Sequence, residues 1–66
     1  MKLRELRKAK KLTQTQLALF AGVTQTYIGA LENGKRKNPS VIVVKGIAKG
    51  LGVSVERVLE AIDEAV

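Results

Sequence analysis

The chain has 66 residues, with 12 Lys or Arg against six Asp or Glu, a formal net charge of +6, and neither cysteine nor histidine. A chain of this length forms one domain, here residues 1–66, and buries only about 60% of the surface that its unfolded form exposes. The absence of thiolate and imidazole removes most metal sites and most general-base or nucleophile arrangements, so we do not expect an enzyme. We also expect no metal site, no cofactor and no small-molecule substrate. No apolar run is long enough for a signal peptide or a membrane span, so we expect a cytoplasmic protein that does not bind membranes.

The charge is unevenly distributed along the chain. Residues 1–50 hold eleven basic and two acidic side chains, a net charge of +9, whereas residues 51–66 carry a net charge of −3. The basic part favours a polyanionic partner, although charge alone is also compatible with a surface that is merely solvated.

The first predicted helix covers about residues 2–10. Leu3, Leu6 and Ala9 recur at helical spacing and predict its buried stripe. The basic residues within and beside this stripe can remain in water: Lys2, Arg4, Lys8 and Lys11.

The second helix has clear start and stop signals. Thr13 and Gln16 form a Thr-x-x-Gln capping box, and Gly22 follows the last periodic residue, where glycine adopts the left-handed conformation at low cost. We expect its buried positions to be Leu17, Ala18, Phe20 and Ala21.

The third helix follows after a turn of about three residues, which requires a sharp angle between two short helices. Thr24 is its N-cap and Gly34 its end. Its composition is poor for a helix, with Thr, Tyr, Ile and an interior Gly where better helix formers would stabilise it. Val23, Ile28 and Leu31 are expected to face the core. The outward set is Gln25, Thr26, Gly29 and Asn33, with Ala30 undecided.

Two more helices complete the predicted all-α fold. Residues 41–44, VIVV, are also compatible with a strand, but the Ser40 N-cap and the helical spacing of later apolar residues favour a helix that ends at Gly52. Ser54 opens the last helix, at about 55–65, whose apolar stripe consists of Val55, Val58, Leu59, Ile62 and Val66.

The segment LTQTQLALFAGVTQTYIGALENGKRKNPS, followed by IAKGLGVS, resembles the helix-turn-helix domain of phage repressors and Cro-like (Xre-type) regulators. The resemblance runs from about Leu6 to Leu59. It implies a compact five-helix fold like that of the lambda repressor, with the helix-turn-helix at about 14–33 formed by helices two and three. It also implies binding to double-stranded DNA in a prokaryote or phage.

In this family the third helix lies in the major groove, and residues near its N-terminus touch base edges. By position, the resemblance implies Gln25 and Thr26 as the first base contacts, with Gly29 and Ala30 one turn later. Glutamine can pair bidentately with adenine, and the methyl groups of Thr26 and Ala30 can meet a thymine methyl. A solvated first turn is the alternative for Gln25 and Thr26.

Phosphate contacts should surround that helix. Gln14 can offer its amide and the free N–H groups at the start of the second helix. Tyr27 either gives its hydroxyl to a phosphate or lies on the core. The complete expected set is Gln14, Tyr27, Asn33, Lys35, Arg36, Lys37 and Ser40.

The resemblance also implies a partly buried ion pair between Arg7 and Glu32, which would tie the first helix to the end of the third. Without it, these residues would be two unrelated surface charges.

One domain covers only a half-site, and a few base contacts discriminate weakly because each is worth about 1–3 kcal/mol. We therefore expect a homodimer on a palindromic operator that regulates transcription by occupying a promoter. The last helix is the candidate interface, unless it only completes the monomer core; the candidate residues are Val55, Leu59, Ile62 and Val66.

Two other functions are compatible with this fold. A protein-interaction module, such as an antitoxin or an assembly adaptor, would expose an apolar patch at Val58 or Ile62. A nonspecific nucleoid or RNA binder fits the charge, but the chain has few of the aromatic residues that stack on single-stranded bases.

Overall fold

The computed structural model describes residues 2–64, and all regular secondary structure within that range is helical. The helices are α1 (Leu3–Ala9), α2 (Gln14–Ala21), α3 (Gln25–Glu32), α4 (Val41–Leu51) and α5 (Val55–Glu64). The all-α, five-helix prediction is confirmed, and the β-branched run at 41–44 forms the first turn of α4. Between residues 2 and 64, no helix is long and apolar enough to span a membrane.

The helix ends follow the local signals in the sequence. The Thr13 hydroxyl accepts from the backbone N–H of Gln16 at 3.0 Å, and the Gln16 side chain accepts from the N–H of Thr13 at 2.8 Å. The hydroxyls of Thr24 and Ser40 cap α3 and α4 by accepting from the backbone N–H three residues later, without a reciprocal side-chain bond. Gly22 ends α2 with φ of 70°, in the region that favours glycine. The predicted capping box and turn are therefore present.

All five helices contribute to one apolar core. Helix α2 packs against α3 and α4, while α5 packs against α4 and α1. The fully buried large side chains are Leu3, Leu17, Ile28, Leu31, Ile47, Leu51, Val58 and Ile62.

Two expectations about the core were wrong. Ala9 is exposed, and the α1 residue that is buried beside Leu3 and Leu6 is Arg7. Phe20 is 50% exposed, because α2 crosses α4 very closely at Gly46. A Cβ atom on Gly46 would lie only 2.5 Å from the Phe20 carbonyl oxygen. The Phe20 ring consequently lies over Gly50, at the edge of the helix pair, and does not enter the core.

Candidate nucleic-acid interface

The turn between α2 and α3 fixes which face of α3 is available. The backbone N–H of Val23 donates to the Ala18 carbonyl at 3.1 Å, which closes the turn after Gly22. Ile28 and Leu31 are each 0% exposed and hold α3 against the core. The opposite face of α3 is consequently left open to solvent.

The expected base-contacting residues differ in exposure. Gln25 and Thr26 are exposed on the first turn of α3, whereas Gly29 and Ala30 are half-buried. A Cβ atom on Gly29 would lie 3.6 Å from Nε2 of Gln14, so the Gln14 side chain rests against this glycine. The freely accessible part of the surface is therefore the first turn.

Gln14 links the two ends of α3. Its Nε2 donates to Oε1 of Glu32 at 3.0 Å, and its Oε1 accepts from Nε2 of Gln25 at 3.2 Å. The half-buried amide expected to meet a phosphate is thus already engaged within the protein. The first backbone N–H groups of α2, which have no partner within the helix, can still meet a phosphate there.

The structure brings Arg7 and Glu32 together in a buried, bidentate arrangement. Nε of Arg7 donates to Oε2 of Glu32 at 2.5 Å, and its second terminal nitrogen donates to Oε1 at 3.2 Å. The remaining terminal nitrogen donates to the Leu12 carbonyl at 2.8 Å. The two charged residues are only 8% and 7% exposed. This pair joins α1 to the end of α3.

Glu32 stays ionised at neutral pH. Burial acts to raise the pKa of its carboxyl, but hydrogen bonds from Arg7 and Gln14 outweigh burial and leave the pKa below its ordinary value. Nε of Arg4, 3.6 Å from Oε1, adds to the lowering. Sequence reasoning missed Arg4, although its spacing of three residues from Arg7 places both on one side of a helix.

The basic loop after α3 is folded back onto that helix. The backbone N–H groups of Lys35 and Arg36 donate to the Ala30 carbonyl at 2.9 and 3.1 Å, and Oδ1 of Asn33 also accepts from Lys35. The Arg36 guanidinium lies 4.8 Å from the ring centroid of Tyr27. Tyr27 is half-buried between this cation and the core. The three basic side chains of the loop are exposed next to α3: Lys35, Arg36 and Lys37.

Ser40, also expected at a phosphate, is exposed at the start of α4, where its hydroxyl accepts from the N–H of Val43 at 3.3 Å.

The expected dimer-interface residues within 2–64 differ in exposure. Ile62 is 2% exposed and belongs to the monomer core, which is the alternative that the sequence left open for this helix. Val55 is half-buried against that core, and Val66 lies outside the described residues. Leu59, 46% exposed, is the member of this set that offers apolar surface within residues 2–64.

Comparison with known proteins gives one family. A family model described as helix-turn-helix matches residues 3–58. The uncharacterized HTH-type transcriptional regulator RghRB of Bacillus subtilis is 44% identical over 59 residues, which cover 89% of this chain and 42% of that protein. The HTH-type transcriptional repressor RghR of the same species is 43% identical over 54 residues, 82% of this chain and 40% of the repressor.

A third relative has a length closer to that of this chain. The uncharacterized HTH-type transcriptional regulator y4dJ of Sinorhizobium fredii is 41% identical over 59 residues, 89% of this chain and 75% of the relative. The chain thus spans about two fifths of RghRB and RghR and three quarters of y4dJ. No solved structure matches the chain significantly.

Proposed function

The chain belongs to the helix-turn-helix family, and from that membership we propose that it is a sequence-specific double-stranded DNA-binding regulator of transcription, with α3 in the major groove. The observation that carries this proposal is the exposed first turn of α3 on a helix whose other end is fixed by a buried ion pair. Gln25 and Thr26 are the base-reading residues, and Ala30 contributes an apolar contact at the edge.

The side chain of Gln25 is already partly oriented before it meets a base. Its amide is held by Gln14 at 3.2 Å, which limits its rotamers before DNA arrives. A side chain that is already oriented loses less entropy on binding than a free one. An adenine is the base that matches the donor and acceptor of a glutamine amide.

Phosphate contacts on both sides of α3 would supply most of the affinity. The start of α2 offers N–H groups on one side, and the loop cations Lys35, Arg36 and Lys37 lie on the other. Tyr27 supports Arg36 through its ring, and Asn33 and Ser40 hold the backbone at either end of the loop. For a dimer that neutralises about eight phosphates, affinity should fall by roughly 10³- to 10⁵-fold between about 50 and 200 mM salt.

Specific recognition requires two copies on the DNA. A two-fold pair would place its α3 helices in successive major grooves about 34 Å apart, on a palindromic operator, and would regulate by occupying a promoter. Two domains double the base contacts and raise specificity accordingly, because mismatches at well-separated positions cost free energy nearly additively.

Selection of bound sequences from a random duplex library tests this function. We expect an enriched motif with two inverted half-sites centred about 10 base pairs apart. The matched control is Gln25→Ala, which should yield a motif degenerate at one position of each half-site. If the wild-type protein enriches no motif, it is not a sequence-specific regulator.

The alternative function, a protein-interaction module such as an antitoxin or adaptor, was expected to expose an apolar patch at Val58 or Ile62. Val58 is 0% and Ile62 is 2% exposed, so neither offers a docking surface. If the protein is folded but binds no DNA duplex, the result would favour a protein-interaction module.

A further inference from the structure

An apolar groove runs along the outer side of α2, and the proposed function makes no use of it. It has a volume of about 380 Å³ and is lined by Leu12, Gln16, Leu19 and Phe20. Leu19 is 78% exposed and Phe20 is 50% exposed. Burial of these side chains by a partner would remove apolar surface from water, which favours association.

Three lysines, called the rim lysines below, adjoin in the sequence the residues that line the groove or lie under the Phe20 ring. Lys10 and Lys11 directly precede Leu12, and Lys49 is adjacent to Gly50, on which the Phe20 ring lies. All three lysines are exposed. The sequence has no acidic residue from 6 to 31 or from 33 to 55, so no carboxylate of α2 or α4 offsets this charge. The groove therefore suits an apolar side chain surrounded by carboxylates.

The outer face of α5 has that composition. Leu59 is 46% exposed, and the residues at positions −3, +1 and +4 from it are Glu56, Glu60 and Asp63, all exposed. A symmetric contact between two α5 helices would bring Glu56 and Asp63 of both copies together, and like charges across an interface repel. Glu60 lies 3.8 Å from Arg57 of its own helix. This face of α5 is therefore better matched to the groove than to a second α5.

We propose that Leu59 of one copy docks into the groove of a second copy, with the acidic side chains of α5 facing the rim lysines. The two surfaces differ, so the contact is heterologous and leaves one groove and one α5 free at the ends of each pair. It is distinct from the two-fold pairing proposed above and would join neighbouring dimers. The contact does not require DNA, so it can be tested separately from DNA binding.

Sedimentation equilibrium of the full chain without DNA tests this contact. At about 50 mM salt the average mass should rise with protein concentration beyond that of a dimer, because a heterologous contact does not close. About 500 mM salt should weaken the association, because ionic screening reduces the attraction between exposed charges. An average mass that stops at the dimer at low salt would overturn the proposal.

Charge reversal on each surface identifies the partners. The groove variant is Lys10→Glu, Lys11→Glu, Lys49→Glu, and the α5 variant is Glu56→Lys, Glu60→Lys, Asp63→Lys. Each alone should reduce the association constant at least about tenfold, equivalent to about 1.4 kcal/mol. An equimolar mixture should restore it, since each reversed surface then meets an opposite charge. A groove variant that associates as the wild type does would show that α5 does not use the groove, and would overturn the proposal.

Two further variants distinguish the effect of this contact on association from the effects of net charge and of DNA binding. Reversal of the loop, Lys35→Glu, Arg36→Glu, Lys37→Glu, changes the net charge as much as the groove variant does, and should abolish DNA binding while leaving association intact. Leu59→Gln keeps every charge and should weaken association about tenfold through lost apolar burial. Circular dichroism verifies that each variant folds. Unchanged association of a folded Leu59→Gln protein would contradict the docking of this side chain.

Discussion

The two ends of α3 are held in opposite ways. At the C-terminal end, Glu32 is 7% exposed and accepts hydrogen bonds from Arg7 and Gln14. At the N-terminal end, Gln25 and Thr26 are exposed, and Gln25 has a single side-chain hydrogen bond, to Gln14. A short helix of poor intrinsic propensity can thus present exposed side chains, because its opposite end is fixed to the scaffold.

The largest expected effect comes from breaking the fixed end. Glu32→Ala leaves the buried Arg7 guanidinium without its carboxylate, and should lower the free energy of unfolding by about 3–5 kcal/mol. Urea denaturation followed by circular dichroism measures it. The control is Glu60→Ala, which removes an exposed partner 3.8 Å from Arg57 and should cost less than about 1 kcal/mol. Equal losses in the two variants would mean that the Arg7–Glu32 pair is no more valuable than a surface pair.

Low pH should weaken the Arg7–Glu32 pair at the C-terminal end of α3 and lower the free energy of unfolding. Because the pKa of Glu32 is lowered on folding, its contribution to stability is fully present above the unfolded pKa of about 4.5. That contribution is lost as the pH falls through 4.5 towards the lower folded value, since the proton then binds the unfolded chain more readily. Unfolding free energies of the wild type and of Glu32→Gln, measured from about pH 3 to about pH 7, should converge at the acid end. A constant difference across that range would exclude Glu32 as the titrating group.

Local signals were sufficient to predict the scaffold of this site. Thr13 with Gln16, Thr24, and the glycines after α2 and α4 act through backbone groups a few residues away, so the sequence specifies the helix ends directly. The inward positions of Ile28 and Leu31 follow from the helical period for the same reason. These features predict the turn between α2 and α3 and the open face of α3.

Contacts between helices were harder to predict. The sequence does not reveal that Gln14 turns to Glu32 and Gln25, because that choice depends on where three helices meet. Phe20 has the size of a core residue, yet the close crossing at Gly46 leaves it half outside. Leu59 and Ile62 share one apolar stripe, and the packing of α5 against α1 and α4 buries only Ile62.

The free end of α3 should control specificity with little effect on stability. Gln25→Ala removes an exposed side chain, so the free energy of unfolding should change by no more than about 0.5 kcal/mol. Affinity for the selected operator should fall by about 1–3 kcal/mol per half-site, whereas affinity for random duplex stays the same. Fluorescence anisotropy with both duplexes measures this ratio. An equal loss on both would assign Gln25 to the DNA backbone.

The smallest expected effect tests whether residues beyond the fixed end of α3 provide affinity without specificity. Lys37 is exposed in the loop that follows α3, where it can meet a phosphate on any sequence. Lys37→Ala should weaken binding to the operator and to random duplex by the same factor, and should reduce the slope of log affinity against log salt by about 1 per copy. Lys45→Ala, an exposed lysine of α4 outside the proposed contacts, should leave the slope unchanged. A loss confined to the operator would place sequence readout in the loop and remove the functional contrast between the two ends of α3.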